Sequence, residues 1–364
     1  MALFSQDSLN PGVKKREVFG WAMYDFANSG YTTVVITAVF AAYFVGGIAQ
    51  KAEWATFAWT AALSVSYAIV MLTMPSLGAY ADLHAAKKRL LILTTLACVV
   101  ATAALALAGP GSVVLAILLI ILSNTFYAYG ESLTGAFLPE LAKAEAFGKV
   151  SGWGWSFGYF GGMLALGLSL AFLTWATSQG WTAQEYVPGI ALITATLFAL
   201  SALPSFLFLR ERSAPSGAEQ QGMLSRLIAS ARDVHQHFPD FRTLLLCGAA
   251  YQAGIAVIIT LSAVYATEAM GFTMAQTMTL IFTVNIAAAV GALLFGHVQD
   301  RIGHRRALAL TLCAWLVMVG IAVSTRSLAG FWAAAAVAGE LPRDPRQRGQ
   351  APACATRAAA AAAR

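Results

Sequence analysis

Long uncharged apolar blocks dominate this chain of 364 residues and restrict it to very few folds. Residues 90–108, 188–209, 244–266 and 307–324 each form a block without a single charged side chain. A helix needs about 20 mostly apolar residues to cross the hydrocarbon layer of a bilayer. Strands of membrane barrels are shorter and alternate in polarity. The blocks therefore predict an all-α polytopic membrane protein.

The overall composition supports lipid as the surrounding solvent. Hydrophobic residues make up 59% of the chain and charged residues only 11%, whereas soluble domains average about 25% charged residues. A net charge of +6 would suggest a nucleic-acid partner in a soluble protein. Here the basic residues concentrate in alternate loops between apolar blocks. We therefore expect a lipid bilayer around the chain and no nucleic-acid partner.

The apolar blocks predict about nine full spans and a partial tenth. The nine cover residues 21–49, 54–80, 90–108, 112–138, 153–174, 188–209, 244–266, 274–296 and 307–324. With a cytoplasmic N-terminus (residues 1–20), all Lys and Arg residues before residue 340 lie on the cytoplasmic side except Lys51 and Arg326. Such an excess of cations marks cytoplasmic loops. We expect a multi-pass protein of a bacterial inner (plasma) membrane, with its N-terminus in the cytoplasm.

Motifs of soluble enzymes are missing from the sequence. There is no G-x-x-x-x-G-K-[ST], no H-E-x-x-H and no G-x-S-x-G, the motifs that mark phosphate loops, zinc proteases and serine hydrolases. Cys98, Cys247 and Cys313 lie in or beside apolar blocks without C-x-x-C spacing, which argues against a metal site. We predict no enzyme activity, no cofactor and no metal.

Two predicted cytoplasmic loops repeat one pattern, a glycine and an aspartate four residues apart followed by a basic cluster. Gly78 and Asp82 begin the first copy, and Gly296 and Asp300 begin the second, 218 residues further on. The residues that follow are Lys87, Lys88 and Arg89 in the first copy, and Arg301, Gly303, Arg305 and Arg306 in the second. A glycine permits close helix approach, and a carboxylate can cap a neighbouring helix N-terminus. The paired loops resemble the signature of the major facilitator superfamily.

A finer resemblance lies in three further stretches. Residues 21–29 read WAMYDFANS, residues 137–141 read FLPEL, and residues 151–162 are rich in glycine and aromatic residues. These stretches are similar to the vacuole-effluxer-like family of that superfamily, whose eukaryotic members release amino acids from the vacuole. The resemblance covers Glu17 to about Gly339. It implies a major facilitator fold of two six-helix halves, alternating access, and export of a small-molecule substrate such as an amino acid.

The resemblance implies two six-helix halves, and the chain is long enough for the first half but not for all of the second. Residues 21–209 give an N-terminal six-helix half, residues 210–242 a cytoplasmic linker, and residues 243–339 an incomplete C-terminal half. Apolar residues at helical spacing in the linker predict an amphipathic helix on the inner leaflet, with a solvated linker as the alternative. Residues 340–364 form a low-complexity tail of Pro, Arg, Gln and Ala. We expect this tail to reflect a frameshift or premature end, or else a genuine short variant.

Polar residues inside apolar spans are candidates for function, because a charge in hydrocarbon is costly unless it is paired or faces water. Asp25 and Glu131 are the acidic residues within the predicted spans away from the loops. Each is a candidate to accept a proton or to bind a substrate ammonium. Asp25 is predicted about one turn inside the first helix, so capping that helix end is its alternative role.

Neutral polar side chains complete the set of candidates for a central site. They are Asn28, Asn124, Tyr127, Gln252 and Asn285. For any of them a bond between helices is the alternative role. Gln252 lies at the position pseudo-symmetric to Asp25, where the resemblance implies an acid. The chain therefore departs from a symmetric pair of proton sites.

Three glycines recur every four residues in the predicted fifth span, Gly154, Gly158 and Gly162. Small residues at this spacing allow two helices to pack backbone to backbone. Packing is their predicted role, with substrate contact as the alternative. The resemblance adds that helices five and eight meet across the two halves, where a smooth stripe could permit rocking.

The sequence thus favours a secondary active transporter that moves small solutes by alternating access, with protons as a possible coupling partner. Its rival is a transport-incompetent membrane protein, either a truncated product or a receptor-like scaffold.

Overall fold

The computed structural model describes residues 4–212, 232, 236, 239–286 and 304–324, and these residues are almost entirely helical. The N-terminal bundle contains eight α-helices. They are α1 (Lys15–Tyr31), α2 (Phe40–Tyr43), α3 (Ala55–His84), α4 (Lys87–Ala104), α5 (Val113–Gly135), α6 (Leu138–Leu141), α7 (Phe147–Ser178) and α8 (Ala183–Phe208). The π-helical turns Thr32–Ala38 and Phe44–Ile48 join α1 and α2 into one long span.

The C-terminal segment consists of the described residues after 238. Its helices are α9 (Pro239–Val264), α10 (Met274–Ile286) and α11 (His304–Ser324). A third π-helical turn, Tyr265–Ala269, continues α9. The 340–364 tail lies outside the described residues, and so does most of the 210–242 linker with its predicted amphipathic helix. Of the linker, the structure describes residues 210–212, 232, 236 and 239–242.

Seven helices in the described part of the chain are long and apolar enough to cross a membrane. They are Lys15–Ile48, Ala55–His84, Lys87–Leu107, Val113–Leu141, Lys149–Ser178, Ala183–Phe208 and Leu246–Ala269. Each overlaps one of the first seven predicted spans. The described apolar parts of α10 and α11, Met274–Ile286 and Leu312–Ile321, are shorter, so the count of nine full spans is not confirmed.

The N-terminal bundle buries its core between α1 and the helices around it. The α1 helix packs against α7 and α8, and α5 packs against α3 and α4. Large apolar side chains remain exposed on the outside of several helices, including Leu72, Val100, Leu118 and Leu200. In water such surfaces would be costly. In a bilayer they face lipid, as the composition predicts.

The loops collect at two ends of the bundle, because successive spans run in opposite directions. We call the end with residues 85–86, 136–146 and 209–212 the proximal end. The end with residues 49–54, 108–112, 179–182 and 270–273 is the distal end. The backbone hydrogen bond from Gly111 N to Ile48 O, 3.0 Å, joins two of the distal loops.

An N-terminal segment covers part of the proximal end. Leu9 pairs with Ala142 in an isolated antiparallel bridge. Asn10 N donates to Leu141 O at 3.0 Å, and Lys143 N donates to Ser8 O at 3.1 Å. The chain before α1 is therefore held against α6 by backbone hydrogen bonds.

Candidate functional site

The two acidic residues singled out in the apolar spans lie near each other within the N-terminal bundle. Asp25 lies on α1 and is partly buried, whereas Glu131 lies on α5 and is exposed. Their carboxylates are close enough to interact electrostatically. Neither forms an ion pair with any described residue.

The structure corrects the predicted position of Asp25 along its helix. The α1 helix begins at Lys15, so Asp25 lies about three turns inside it. The favourable field of a helix N-terminus falls off within the first turn. A capping role for Asp25 is therefore wrong. Its carboxylate has to be stabilised by other means.

Tyrosines extend the site from Glu131 along α5 and back to α1. Tyr127 lies one turn before Glu131 on α5, so the two side chains are neighbours on one face of the helix. The Tyr127 ring stacks on Tyr31, with ring centroids 5.3 Å apart. The Tyr31 hydroxyl is hydrogen-bonded to Ser123 Oγ at 2.8 Å in the core. This aromatic layer links α1 and α5 beside the two carboxylates.

Asn124 supplies the polar contact between α5 and α3. Its Nδ2 donates to Ser66 Oγ at 2.6 Å, and Tyr67 on α3 is a second neighbour within hydrogen-bonding reach. Asn124 is fully buried, and its Oδ1 accepts no hydrogen bond from the described residues. A buried amide oxygen without a donor is uncommon in folded proteins.

The remaining neutral candidates are further apart. Asn28 is buried on α1, and its Oδ1 is 3.5 Å from Ser29 Oγ. Asn285 is buried on α10 and donates to Ile281 O at 2.9 Å within its own helix. Gln252 is partly buried on α9. The polar contacts given for these residues do not link them to Asp25 or Glu131.

The glycine stripe of α7 lies directly against α1. A Cβ atom at Gly154 would meet the Asp25 carboxylate and the Trp21 ring, one at Gly158 would meet Ser29 Oγ, and one at Gly162 would meet Thr33 Oγ1. The two helices therefore run side by side over about two turns of α7. Gly154 leaves room for the Asp25 side chain, so the stripe also shapes the site.

The expected meeting of helices five and eight occurs at a different glycine. A Cβ atom at Gly167 on α7 would lie 3.7 Å from the Phe282 ring on α10. The described contacts of Gly154, Gly158 and Gly162 are with α1 instead. The stripe of three glycines thus packs against α1 within the N-terminal bundle and not against the C-terminal segment.

The first glycine–aspartate loop forms part of a charge network at the proximal end. Lys87 Nζ lies 3.2 Å from Asp82 Oδ1 and 3.0 Å from Glu140 Oε1. Two backbone amides at the start of α4, those of Lys87 and Lys88, donate to the Glu211 carboxylate at 2.7 and 3.2 Å. The carboxylate that caps α4 is therefore Glu211, whereas Asp82 pairs with Lys87.

Other details of that loop also differ from expectation. A Cβ atom at Gly78 would have no described atom within 4 Å, so no helix in the described part of the chain approaches it closely. Arg89 lies in the first turn of α4. In the second loop, Gly296, Asp300, Arg301 and Gly303 lie outside the described residues. Arg305 and Arg306 fall in the first turn of α11.

A buried ion pair continues the network to α1. Arg212 Nη2 lies 2.7 Å from Glu17 Oε2, and the Glu17 side chain is only 1% exposed. The backbone amide of Arg212 donates to Glu140 Oε2 at 2.9 Å. Arg212 was among the basic residues that predict topology, and Glu140 belongs to the stretch 137–141 on which the family resemblance rests. Glu17 and Glu211 were not singled out, and the Glu211–Arg212 pair directly after the sixth span was the available signal for Glu211.

Comparisons with known proteins place this geometry in a family. Residues 43–339 match the family described as "Vacuole effluxer Atg22 like". The match includes residues 137–162, on which the resemblance partly rested, and begins after residues 21–29. An uncharacterized MFS-type transporter of Bacillus subtilis, YxiO, is 24% identical over 321 residues, which cover 86% of this chain and 74% of that protein.

Solved structures of major facilitator transporters share the fold at low sequence identity. The inward-open xylose transporter XylE from E. coli has a TM-score of 0.60 at 15% identity, covering 88% of this chain and 79% of XylE. The human organic anion transporter MFSD10 has a TM-score of 0.57 at 18% identity, covering 90% and 82% of the two chains. These likenesses establish the fold and leave the substrate open.

The helical membrane fold, the family match and the transporter relatives agree with one another. The predictions of a major facilitator fold and of a chain without enzyme activity are confirmed. The protein is a multi-pass membrane transporter that belongs to the vacuole effluxer Atg22-like family of the major facilitator superfamily.

Proposed function

We propose that this transporter exports a small amino-acid-like solute by alternating access, coupled to protons, and that Asp25 and Glu131 form its cation-binding site. Asp25 on α1 and Glu131 on α5 are near enough for their carboxylates to interact electrostatically, and no described residue pairs with either of them in an ion pair. This observation carries the proposal.

No cation among the described residues compensates these two carboxylates, which lie within apolar spans. A charge within an apolar span is costly unless it is paired or faces water, and intramembrane acids in transporters mark ion and substrate pathways. A proton and a substrate ammonium can each neutralise one carboxylate. Competition between the two for the same pair couples substrate movement to proton movement.

The tyrosine layer suits the ammonium end of an amino-acid-like substrate. Tyr127 lies next to Glu131 and stacks on Tyr31. Aromatic faces attract cations, and this attraction grows when water is excluded. The Tyr127 hydroxyl also supplies a hydrogen-bonding group without adding charge. A carboxylate pair beside stacked tyrosines is thus suited to a small organic cation or zwitterion.

The proposal is tested with purified protein in proteoliposomes, using pools of radiolabelled amino acids and an imposed pH gradient. We expect the wild-type protein to move at least one pool faster when the gradient is present. Asp25→Asn and Glu131→Gln remove one charge each. A hydrogen bond to a charged group contributes about 1.5–3 kcal/mol, so we expect gradient-driven transport to fall roughly 10- to 100-fold.

Asp7→Asn is the matched control, because Asp7 is exposed on the N-terminal segment and the same change there should leave transport unaltered. Full gradient-driven transport by Asp25→Asn would overturn the coupling role of that residue. Transport of labelled xylose in place of every amino-acid pool would overturn the substrate class. The rival scaffold function predicts no transport of any pool by the wild-type protein.

A further inference from the structure

The N-terminal bundle and the C-terminal segment are joined at the distal end by an ion pair. Lys51 Nζ, in the loop after the first span, lies 3.6 Å from Glu268 Oε2, in the π-helical turn that continues α9. The Lys51 side chain is 69% exposed and that of Glu268 30%. The pair thus lies at the surface of the contact between the two parts of the chain.

The loop that carries Lys51 is held in an uncommon backbone conformation. Gln50 and Lys51 have φ angles of 50° and 59°, in the left-handed region that residues other than glycine seldom adopt. The Lys51 amide donates to Val45 O at 2.9 Å, which fixes the turn. Backbone strain of this kind concentrates at switch regions.

Glu268 fits closely against the first span at the same place. A Cβ atom at Gly46 would lie 3.3 Å from Glu268 Oε1. The absence of a side chain at Gly46 therefore allows the Glu268 carboxylate to lie close to the backbone of the first span. Gly46 belongs to the π-helical turn Phe44–Ile48, and Glu268 to the turn Tyr265–Ala269. Such turns are rare and often occur at functional sites. In this contact, one π-helical turn belongs to the N-terminal bundle and the other to the C-terminal segment.

An apolar layer joins the same two parts of the chain. Val34 and Phe40 of the first span share one buried cluster with Val264 of α9 and with Met278 and Ile281 of α10. The α9 helix packs against the π-helical turn after α1 and against α2. Opening the distal end requires separating this layer as well as the ion pair.

We propose that Lys51 and Glu268 form a latch that holds the distal end closed and that breaks when the transporter opens to that side. The inference rests on the alternating access of the proposed function. An exposed ion pair contributes little to stability, so the latch biases the equilibrium between the two states without locking it. Charge reversal at either residue turns this attraction into repulsion and favours the open state.

The test measures how readily a reagent reaches the apolar layer. The full chain, with its own cysteines replaced by serine, carries Val264→Cys, a position that is 5% exposed in the closed contact. Its reaction rate with a membrane-impermeant maleimide is measured in proteoliposomes of both orientations. We expect Lys51→Glu and Glu268→Lys each to raise this rate roughly two- to fivefold. The double variant that exchanges the two charges should return it to the starting value.

Glu53→Lys is the matched control, since Glu53 is an exposed acid in the same loop, and its reversal should leave the rate unchanged. Lys51→Gln and Glu268→Gln should give smaller increases than the reversals. Recovery by the charge exchange shows that the single variants are folded. Unchanged rates in both reversals, or a double variant that reacts faster still, would overturn the latch.

The labelling rate needs no substrate, so it separates the latch from the proposed function. If the wild-type protein transports no amino acid but the labelling rates change with the charges at residues 51 and 268 as expected, the proposed function alone is overturned. If the wild-type protein transports amino acids but the labelling rates do not depend on the charges at residues 51 and 268, the latch alone is overturned.

Discussion

At the scale of single residues, the absence of a side chain at Gly154 on α7 leaves room for the Asp25 carboxylate on α1. Asp25 and Glu131 stand out because acids are rare in apolar blocks. The contact of Asp25 with Gly154 depends on helices that are far apart in the chain, and no local pattern reports it. Tyr31 and Ser66 were not singled out, because aromatic and hydroxyl residues are common in membrane spans.

Gly161 shows the same limit, and it leads to a prediction about packing. It falls outside the four-residue stripe, yet a Cβ atom there would overlap the backbone carbonyl of Phe26. Overpacking of a tight contact costs typically 1–3 kcal/mol. We therefore expect Gly161→Ala to destabilise the protein by about that amount, measured as a lower midpoint of thermal unfolding in detergent.

Gly152→Ala is the control within the same helix, because a Cβ atom at Gly152 would have none of the described atoms outside its own helix turn within 4 Å. Alanine is the better helix former by about 0.5–1 kcal/mol, so this variant should unfold at the same or a higher temperature. Equal unfolding midpoints for Gly161→Ala and the wild-type protein would show that α1 and α7 can separate without cost.

At the scale of helices, the positions of the spans follow from hydropathy, whereas their ends depend on distant partners. The first seven predicted spans each overlap a long apolar helix. The first helix begins at Lys15, before the predicted start at residue 21. A count of apolar residues places this start too late, because charged residues at the membrane surface can belong to the same helix. The start of α4 is capped by Glu211, which is more than 120 residues away in the chain.

The ion pair between Glu17 and Arg212 ties the start of α1 to the end of α8, and we predict that breaking it is costly. Glu17 is 1% exposed, so Arg212→Leu would leave a buried carboxylate without its partner. Removing one member of a buried pair costs about 3–5 kcal/mol, and the partial exposure of Arg212 should reduce this to about 2–3 kcal/mol. Thermal unfolding of the detergent-solubilised variant measures the loss.

A double-mutant cycle supplies the control. In a Glu17→Gln background the carboxylate is already neutral, so adding Arg212→Leu should cost much less than it does alone. Additive losses in the double variant would mean that the Arg212 side chain stabilises the proximal end through its other contact, the one from its guanidinium to Gly12 O.

At the scale of the whole molecule, charge distribution predicts the orientation that the fold by itself leaves open. The proximal end carries Lys14, Lys87, Lys143 and Arg212 among many cations, whereas Lys51 is the basic residue of the distal loop 49–54. Loops rich in Lys and Arg stay in the cytoplasm during insertion. We therefore predict that the proximal end faces the cytoplasm, and that the loops 82–89, 210–242 and 301–306 are cytoplasmic.

Single cysteines at the two ends test this orientation in a cysteine-free background. Glu53→Cys places a thiol in an exposed position of the distal end, and Lys143→Cys places one in an exposed position of the proximal end. An impermeant maleimide should label Glu53→Cys in intact cells and Lys143→Cys only after permeabilisation. The opposite pattern would reverse the topology. With the predicted orientation, the Lys51–Glu268 latch faces the cell exterior, and its opening is the step that releases an exported solute.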